Sequence, residues 1–184
     1  MPISPAGIAR LIIVCGALAI AIPFLIPMLT GNAGLAVSGR FLERPKDKLL
    51  EIKLPPDPGA SVTIDAKALR SWVTSHADQA RIYASRVMPL DILYLLALGG
   101  FLALGAHALA SQTSWATPRL WAIPAIVYLV TDATEDALII LFMTVPDSIG
   151  EHTLGALIFF RTVKIVSNGI AICIVFLLGI AASI

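Results

Sequence analysis

Four long apolar segments constrain this chain more than any other feature of its sequence. They run over residues 8–29, 89–110, 120–145 and 154–184. Each is long enough to cross the hydrocarbon core of a bilayer, which takes about 20 helical residues. None alternates between polar and apolar residues as the strands of a membrane barrel do, and a lipid-exposed backbone must satisfy its own hydrogen bonds. The sequence therefore predicts an all-α integral membrane protein, a four-helix transmembrane bundle.

Composition agrees with a single membrane domain over all 184 residues, since 58% are hydrophobic, only 14% are charged and the mean hydropathy is +0.88. The net charge of +1 indicates no polyanionic partner, so we expect no nucleic acid. The predicted partners are the lipid bilayer and either another membrane protein or further copies of this chain, as a homo-oligomer.

No pattern indicates a cofactor, a metal or a catalytic centre. Cys15 and Cys173 both lie in apolar segments and form no ligand spacing. His76, His107 and His152 are too far apart for a known zinc motif. No nucleophile elbow or glycine-rich phosphate loop is present. We therefore predict no catalytic residue, no metal and no cofactor, and an enzyme is the less favoured class.

The first segment resembles a secretory signal, because Arg10 precedes an apolar run. The run continues to Leu29, which is longer than a usual signal core and favours an uncleaved anchor. The small residues of "AGLA" at 33–36 leave cleavage as the alternative.

The polar region, residues 30–88, contains two patterned stretches. Residues 50–54 alternate briefly before "PPDPG" and predict a short extended segment. Apolar residues then recur at helical spacing, which predicts an amphipathic helix over about 64–87, with Thr63 or Asp65 as its cap. Pro89 should bend the chain after it. This helix is interpreted as a lid on its own bundle or as a surface for a partner.

Orientation has two interpretations. Arg81 and Arg86 flank the second segment, whereas Arg10 and Arg119 are the main bases on the other side, so a simple positive-inside count places the long loop in the cytoplasm. The signal-like first segment instead favours a cytoplasmic N-terminus and an exported loop. We prefer the second interpretation, in a bacterial inner membrane.

The third segment contains three acids, Asp132, Glu135 and Asp136, on one helical face. The fourth segment contains Arg161 and Lys164, also on one face. Insertion into the middle of a membrane costs about 2.5 to 3.5 kcal/mol for even one such residue. The acids therefore need cations or protons as partners.

A hairpin centred on Gly150 would bring these faces together. It places Asp136 level with Lys164, and Asp132 level with Asn168. Two cations facing three acids leave one carboxyl group unmatched, and burial favours its neutral form.

Two further residues extend this cluster. Arg161 lies one helical turn from Lys164 and should reach Asp136. Asp91, near the start of the second segment, can approach the cluster from the long-loop side. The candidates for an ion relay or a ligand site are Asp91, Asp132, Glu135, Asp136, Arg161 and Lys164. The alternative is that these residues only hold the third and fourth helices together.

The second segment also contains small residues, Gly99, Gly100, Ala103 and Gly105. Small residues let two membrane helices approach closely. They predict that this helix packs tightly against its neighbours.

Residues 63–180 resemble a loose group of bacterial four-span integral membrane proteins to which no activity is assigned. The matching positions are Ala80, Arg81, Tyr83, Asp91, Asp132, Glu135, Thr162 and Lys164. Asp136 stands where that group has Asn, and the spacing from Thr162 to Lys164 is shorter. The resemblance implies the four-span topology and the choice of site residues, and no activity.

Three functions follow from these observations. The favoured one is a non-enzymatic accessory or assembly component. The second is a small proton-coupled carrier or lipid-binding protein that uses the intramembrane acids. The third is an intramembrane lipid-modifying enzyme, which no motif indicates.

Overall fold

The computed structural model describes residues 5–30, 66–113 and 117–183. Of these residues 93% are helical and none forms a strand, which confirms the all-α prediction. The helices are α1 (Pro5–Thr30), α2 (Ala66–Ser75), α3 (Ala77–Ile82), a π-helical segment (Tyr83–Val87), α4 (Met88–Ala110), α5 (Ile123–Thr144) and α6 (Glu151–Ala181), with short 3-10 turns at Pro118–Ala122 and Pro146–Ser148.

Three predictions from the sequence concern residues outside these described ranges. The short extended segment at 50–54, the helix cap at Thr63 or Asp65 and the alternative cleavage site at 33–36 lie outside the described residues.

Three helices are long and apolar enough to cross a bilayer: Ala6–Thr30, Ala77–Ala110 and Glu151–Ala181. These helices are typical of an integral membrane protein. The remaining predicted crossing corresponds to α5, which has 22 residues but carries three acids. Its length is sufficient for a membrane, and its charges set it apart from the other three.

The centre of the molecule is α4, which packs against α1 on one side and against α5 and α6 on the other. A Cβ atom on Gly99 would overlap the side chain of Leu129 in α5. One on Gly100 would lie 3.3 Å from Sγ of Cys15 in α1. The predicted role of these glycines in close packing is therefore confirmed, because both lie where a neighbouring helix touches α4.

The segment from Ala66 to Val87, here called the lid, packs its apolar face over the end of the bundle. Its buried side chains meet those of α5, α6 and the turn between them. The cluster they form contains Ala66, Leu69, Trp72, Val73, Ala80, Tyr83, Val87, Met88, Ile139, Phe142, Met143, Ile149, Leu154 and Leu157. The apolar face is thus occupied by the protein's own bundle, in agreement with the first interpretation of the amphipathic helix.

The lid also makes polar contacts with the turn between α5 and α6. Nη2 of Arg70 donates hydrogen bonds to the carbonyl oxygens of Asp147, at 3.1 Å, and Ile149, at 2.6 Å. Backbone carbonyls in a turn have no helical partner, so a guanidinium group fixes both at once.

Pro89 does not interrupt the helical backbone. Met88 has helical dihedral angles, φ −59° and ψ −42°, and the chain continues without a break from the π-helical segment into α4. Proline cannot donate to a carbonyl one turn earlier and crowds that turn. The wider π-helical turn directly before Pro89 accommodates both effects. The break lies instead at His76, whose φ of −124° and ψ of 41° separate α2 from α3.

Candidate functional site

The three acids of α5 lie midway along that helix, and Arg161 and Lys164 lie in the first half of α6. Glu135 lies about 14 Å from the end of α5 at Thr144, and Arg161 about 15 Å from the beginning of α6 at Glu151, at 1.5 Å per residue. Helical spacing places Asp132, Glu135 and Asp136 on one face, and all three are buried. The face points into the bundle because the opposite face of α5 is apolar and exposed.

An ion-pair network joins the two helices. Nζ of Lys164 donates to Oδ1 of Asp132 at 2.7 Å and lies 2.6 Å from Oε2 of Glu135. Nε of Arg161 donates to Oε1 of Glu135 at 2.8 Å. Glu135 therefore bridges both cations, each through a different carboxylate oxygen. Charge-assisted bonds of this length are among the stronger polar contacts in a protein.

The register of these pairs differs from the predicted one. Asp132 and Lys164 are equidistant along the chain from Ser148, and so are Glu135 and Arg161. The reason is that α5 ends at Thr144 and α6 begins at Glu151, so the 3-10 turn at Pro146–Ser148, and not Gly150, forms the centre of the hairpin. The predicted pairing of Asp136 with Lys164 and Arg161 is consequently wrong.

Asp136 is the acid that the network leaves out. It is only 1% exposed, and neither carboxylate oxygen has a hydrogen-bond partner among the described residues. A buried polar group without a partner is costly and uncommon in folded proteins. The excess carboxyl group expected from the sequence is thus assigned to a particular residue.

Helix α4 contributes groups that approach the acids from the other side. The charge of Asp91 acts on Asp136, as do the charges of Asp132, Glu135 and Lys164. The prediction that Asp91 approaches this cluster agrees with this arrangement. The six candidate residues therefore lie in one region between α4, α5 and α6.

Two tyrosines belong to this region and were missed in the sequence. Tyr128 is buried, and the charge of Asp132 acts on its hydroxyl group. Tyr94 interacts electrostatically with Asp91 and Asp132. The available signal was spacing, because Tyr128 precedes Asp132 by four residues and Tyr94 follows Asp91 by three.

The polar region continues along α6 to Asn168, whose Oδ1 is buried without a hydrogen-bond partner in the described part of the chain. Arg161, Lys164 and Asn168 thus follow one stripe of α6. The described residues contain no group of His, Cys, Asp and Glu side chains arranged to hold a metal ion. The arrangement can hold helices together and can bind or release protons.

No family model matches the chain, and neither the curated proteins nor the solved structures contain a significant match to it.

Proposed function

We propose that the protein is a non-enzymatic integral membrane protein, an accessory or assembly component of a larger membrane complex. In this proposal α1, α4, α5 and α6 are four membrane crossings. The N-terminus is cytoplasmic and the lid lies on the exported side of a bacterial inner membrane. The network between α5 and α6 has a structural role, which is to fix these two helices in one register.

The observation that carries the proposal is that both cations of α6 are paired with acids of α5. Lys164 and Arg161 together engage Asp132 and Glu135 at distances of 2.6 to 2.8 Å. Groups bound to each other in this way are poorly placed to act on a substrate. Paired charges do stabilise one arrangement of membrane helices over others.

The exposed surface supports association within the membrane. Only 6% of the most apolar part of α1 is buried, and α1 packs mainly along α4. Its exposed side chains include Ile13, Ile20 and Phe24, which are 69–70% exposed. This surface suits lipid or a second membrane helix.

The test replaces the network as a whole. A variant carrying Asp132→Leu, Glu135→Met, Arg161→Met and Lys164→Met removes every charge together and keeps similar side-chain volumes, a change that folded proteins often tolerate. We expect it to accumulate in the membrane and to retain a stoichiometric complex, measured by cross-linking in membranes followed by mass spectrometry. The single variant Glu135→Gln should instead reduce abundance.

A variant that folds normally but loses its bound partner or a bound lipid would contradict the structural role. The matched control is Asp78→Asn, which breaks an ion pair with Arg81 on the exposed surface of α3. It should behave as the wild type in both measurements.

Asp136 favours a second candidate, a small proton-coupled carrier or lipid-binding protein. An unpartnered carboxyl group inside a membrane bundle is a candidate for function. This function predicts that Asp136→Asn folds normally and abolishes a pH-linked activity in reconstituted vesicles, followed with a pH-sensitive dye inside them.

A further inference from the structure

We propose that Asp136 is a proton-binding site, held as the neutral acid inside the bundle, and that Asp91 is the neighbouring carboxylate that strengthens the binding of this proton. The inference does not depend on the assembly role proposed above. It assigns a ligand, the proton, to one particular side chain.

Solvation is the first argument. Asp136 is 1% exposed, and neither of its oxygens accepts a hydrogen bond from any described residue. An ionised carboxylate in such a place loses its hydration and gains no donor in return, at a cost of several kcal/mol. The neutral acid avoids most of this cost, because only the charged form depends so strongly on water.

The positive charges nearby are already engaged, which is the second argument. Lys164 binds Asp132 and Glu135, and Arg161 binds Glu135. The same four residues contribute two negative and two positive charges, so the network is neutral by itself. A negative charge on Asp136 would have no counterion of its own.

Four charged groups act on Asp136. Asp91 of α4 and Asp132 and Glu135 of α5 repel a negative charge there, and Lys164 of α6 is the cation that acts on it. The π-helical segment contributes the buried Tyr83 to the cluster at this end of α5. Because the network is neutral as a whole, the added repulsion from Asp91 favours the bound proton.

A proton suits this place better than a metal ion does. Metal ions of the alkali and alkaline-earth groups take several oxygen ligands around one point. The described residues form no group of three or more such acidic side chains around a common centre. One proton requires only one carboxylate oxygen.

The experiment measures the infrared band of protonated carboxyl groups on the full-length protein in lipid, in water and in deuterium oxide, over a series of pH values. We expect the wild type to show this band at neutral pH and Asp136→Asn to lack it. Asp132→Asn is the matched control, one helical turn away, and should keep the band. Absence of the band from the wild type, or its persistence in Asp136→Asn, would overturn the assignment.

A second variant tests the proposal without altering Asp136. Asp91→Asn removes a neighbouring negative charge, so the band should be half lost at a pH about one unit lower than in the wild type. An unchanged midpoint would overturn the role of Asp91. Replacing potassium chloride in the buffer by sodium chloride should leave the band unchanged. Loss of the band in sodium chloride would show that Asp136 binds sodium instead.

Discussion

Glu135 forms ion pairs with both Arg161 and Lys164 of α6. Its side chain is 3% exposed, and its two oxygens contact two different cations. Asp132 contacts only one of them, Lys164, at 2.7 Å. The three acids therefore differ in role even though they occupy one helical face, since one bridges, one pairs and one is left without a partner.

Glu135→Gln should destabilise the protein more than Asp132→Asn does. Removing the bridging charge leaves Arg161 partly buried without an anion, and such a change costs about 3 kcal/mol. Asp132→Asn leaves Lys164 in contact with Glu135, so its effect should be smaller. The melting temperature in detergent, measured by intrinsic tryptophan fluorescence, gives this order.

The control for that order is Asp78→Asn, where the two partners are 80% and 89% exposed. Exposed pairs contribute little to stability. Equal decreases of the melting temperature in Glu135→Gln and Asp78→Asn would mean that burial of the network contributes nothing to stability.

At the scale of elements, α4 determines how closely the other helices can pack. Its glycines lie at the contacts with α1 and α5, so the absence of side chains sets the distance between helices. The glycines of α6 are different, because Gly155, Gly169 and Gly179 have open space around them. Glycine therefore has a packing role in α4 that it lacks in α6.

Gly99→Ala should destabilise the bundle by about 1 to 3 kcal/mol, because the added methyl group overlaps Leu129. The double variant Gly99→Ala with Leu129→Ala should recover part of this loss. Gly169→Ala is the matched control and should cause none. Thermal unfolding of the three variants measures this, and an unaltered melting temperature in Gly99→Ala would rule out the close contact.

Arg70 attaches the lid to the turn after α5. Arg70→Met removes two hydrogen bonds from a charged donor to the turn after α5, which should cost about 2 kcal/mol. Amide hydrogen exchange should increase in α2 and stay unchanged in α4. The exposed Arg81→Met provides the comparison, and faster exchange in both variants would point to an effect of charge alone.

The described helices combine an apolar exterior with a charged cluster inside the bundle. Many large aliphatic and aromatic side chains are exposed, while the three acids of α5 are buried and face Arg161 and Lys164 of α6. This arrangement follows from a lipid surround, in which no water compensates an outward-facing charge. The inward direction of the acids is what allows α5 to be a membrane crossing.

If α5 crosses the membrane, the two termini lie on the same side, and the lid lies on the other. Single cysteines introduced at Ser75 in the lid and at Gln112 after α4, with Cys15 and Cys173 replaced by alanine, should react with an impermeant thiol reagent from opposite sides. Reporter fusions at both termini should give the same orientation. Termini on opposite sides would show three crossings and leave α5 outside the lipid.

The sequence by itself determined the helical class, the positions of the four long helices and the face that carries the acids. These depend on local quantities, namely run length, helical spacing and the cost of exposing a polar backbone to lipid. The amphipathic pattern of the lid was also readable, since Leu69, Trp72 and Val73 follow one helical stripe.

Tertiary structure alone decided which charges meet. A shift in the centre of the hairpin from Gly150 to Ser148 moved Lys164 from Asp136 to Asp132 and Glu135. The packing of α4 against α5 brings the charge of Asp91 to act on Asp136. Spacing along a helix gives a face but no partner, because pairing depends on where a turn ends and how closely the helices pack. For that reason the sequence predicted that one of the three acids has no cation, and only the fold identified this acid as Asp136.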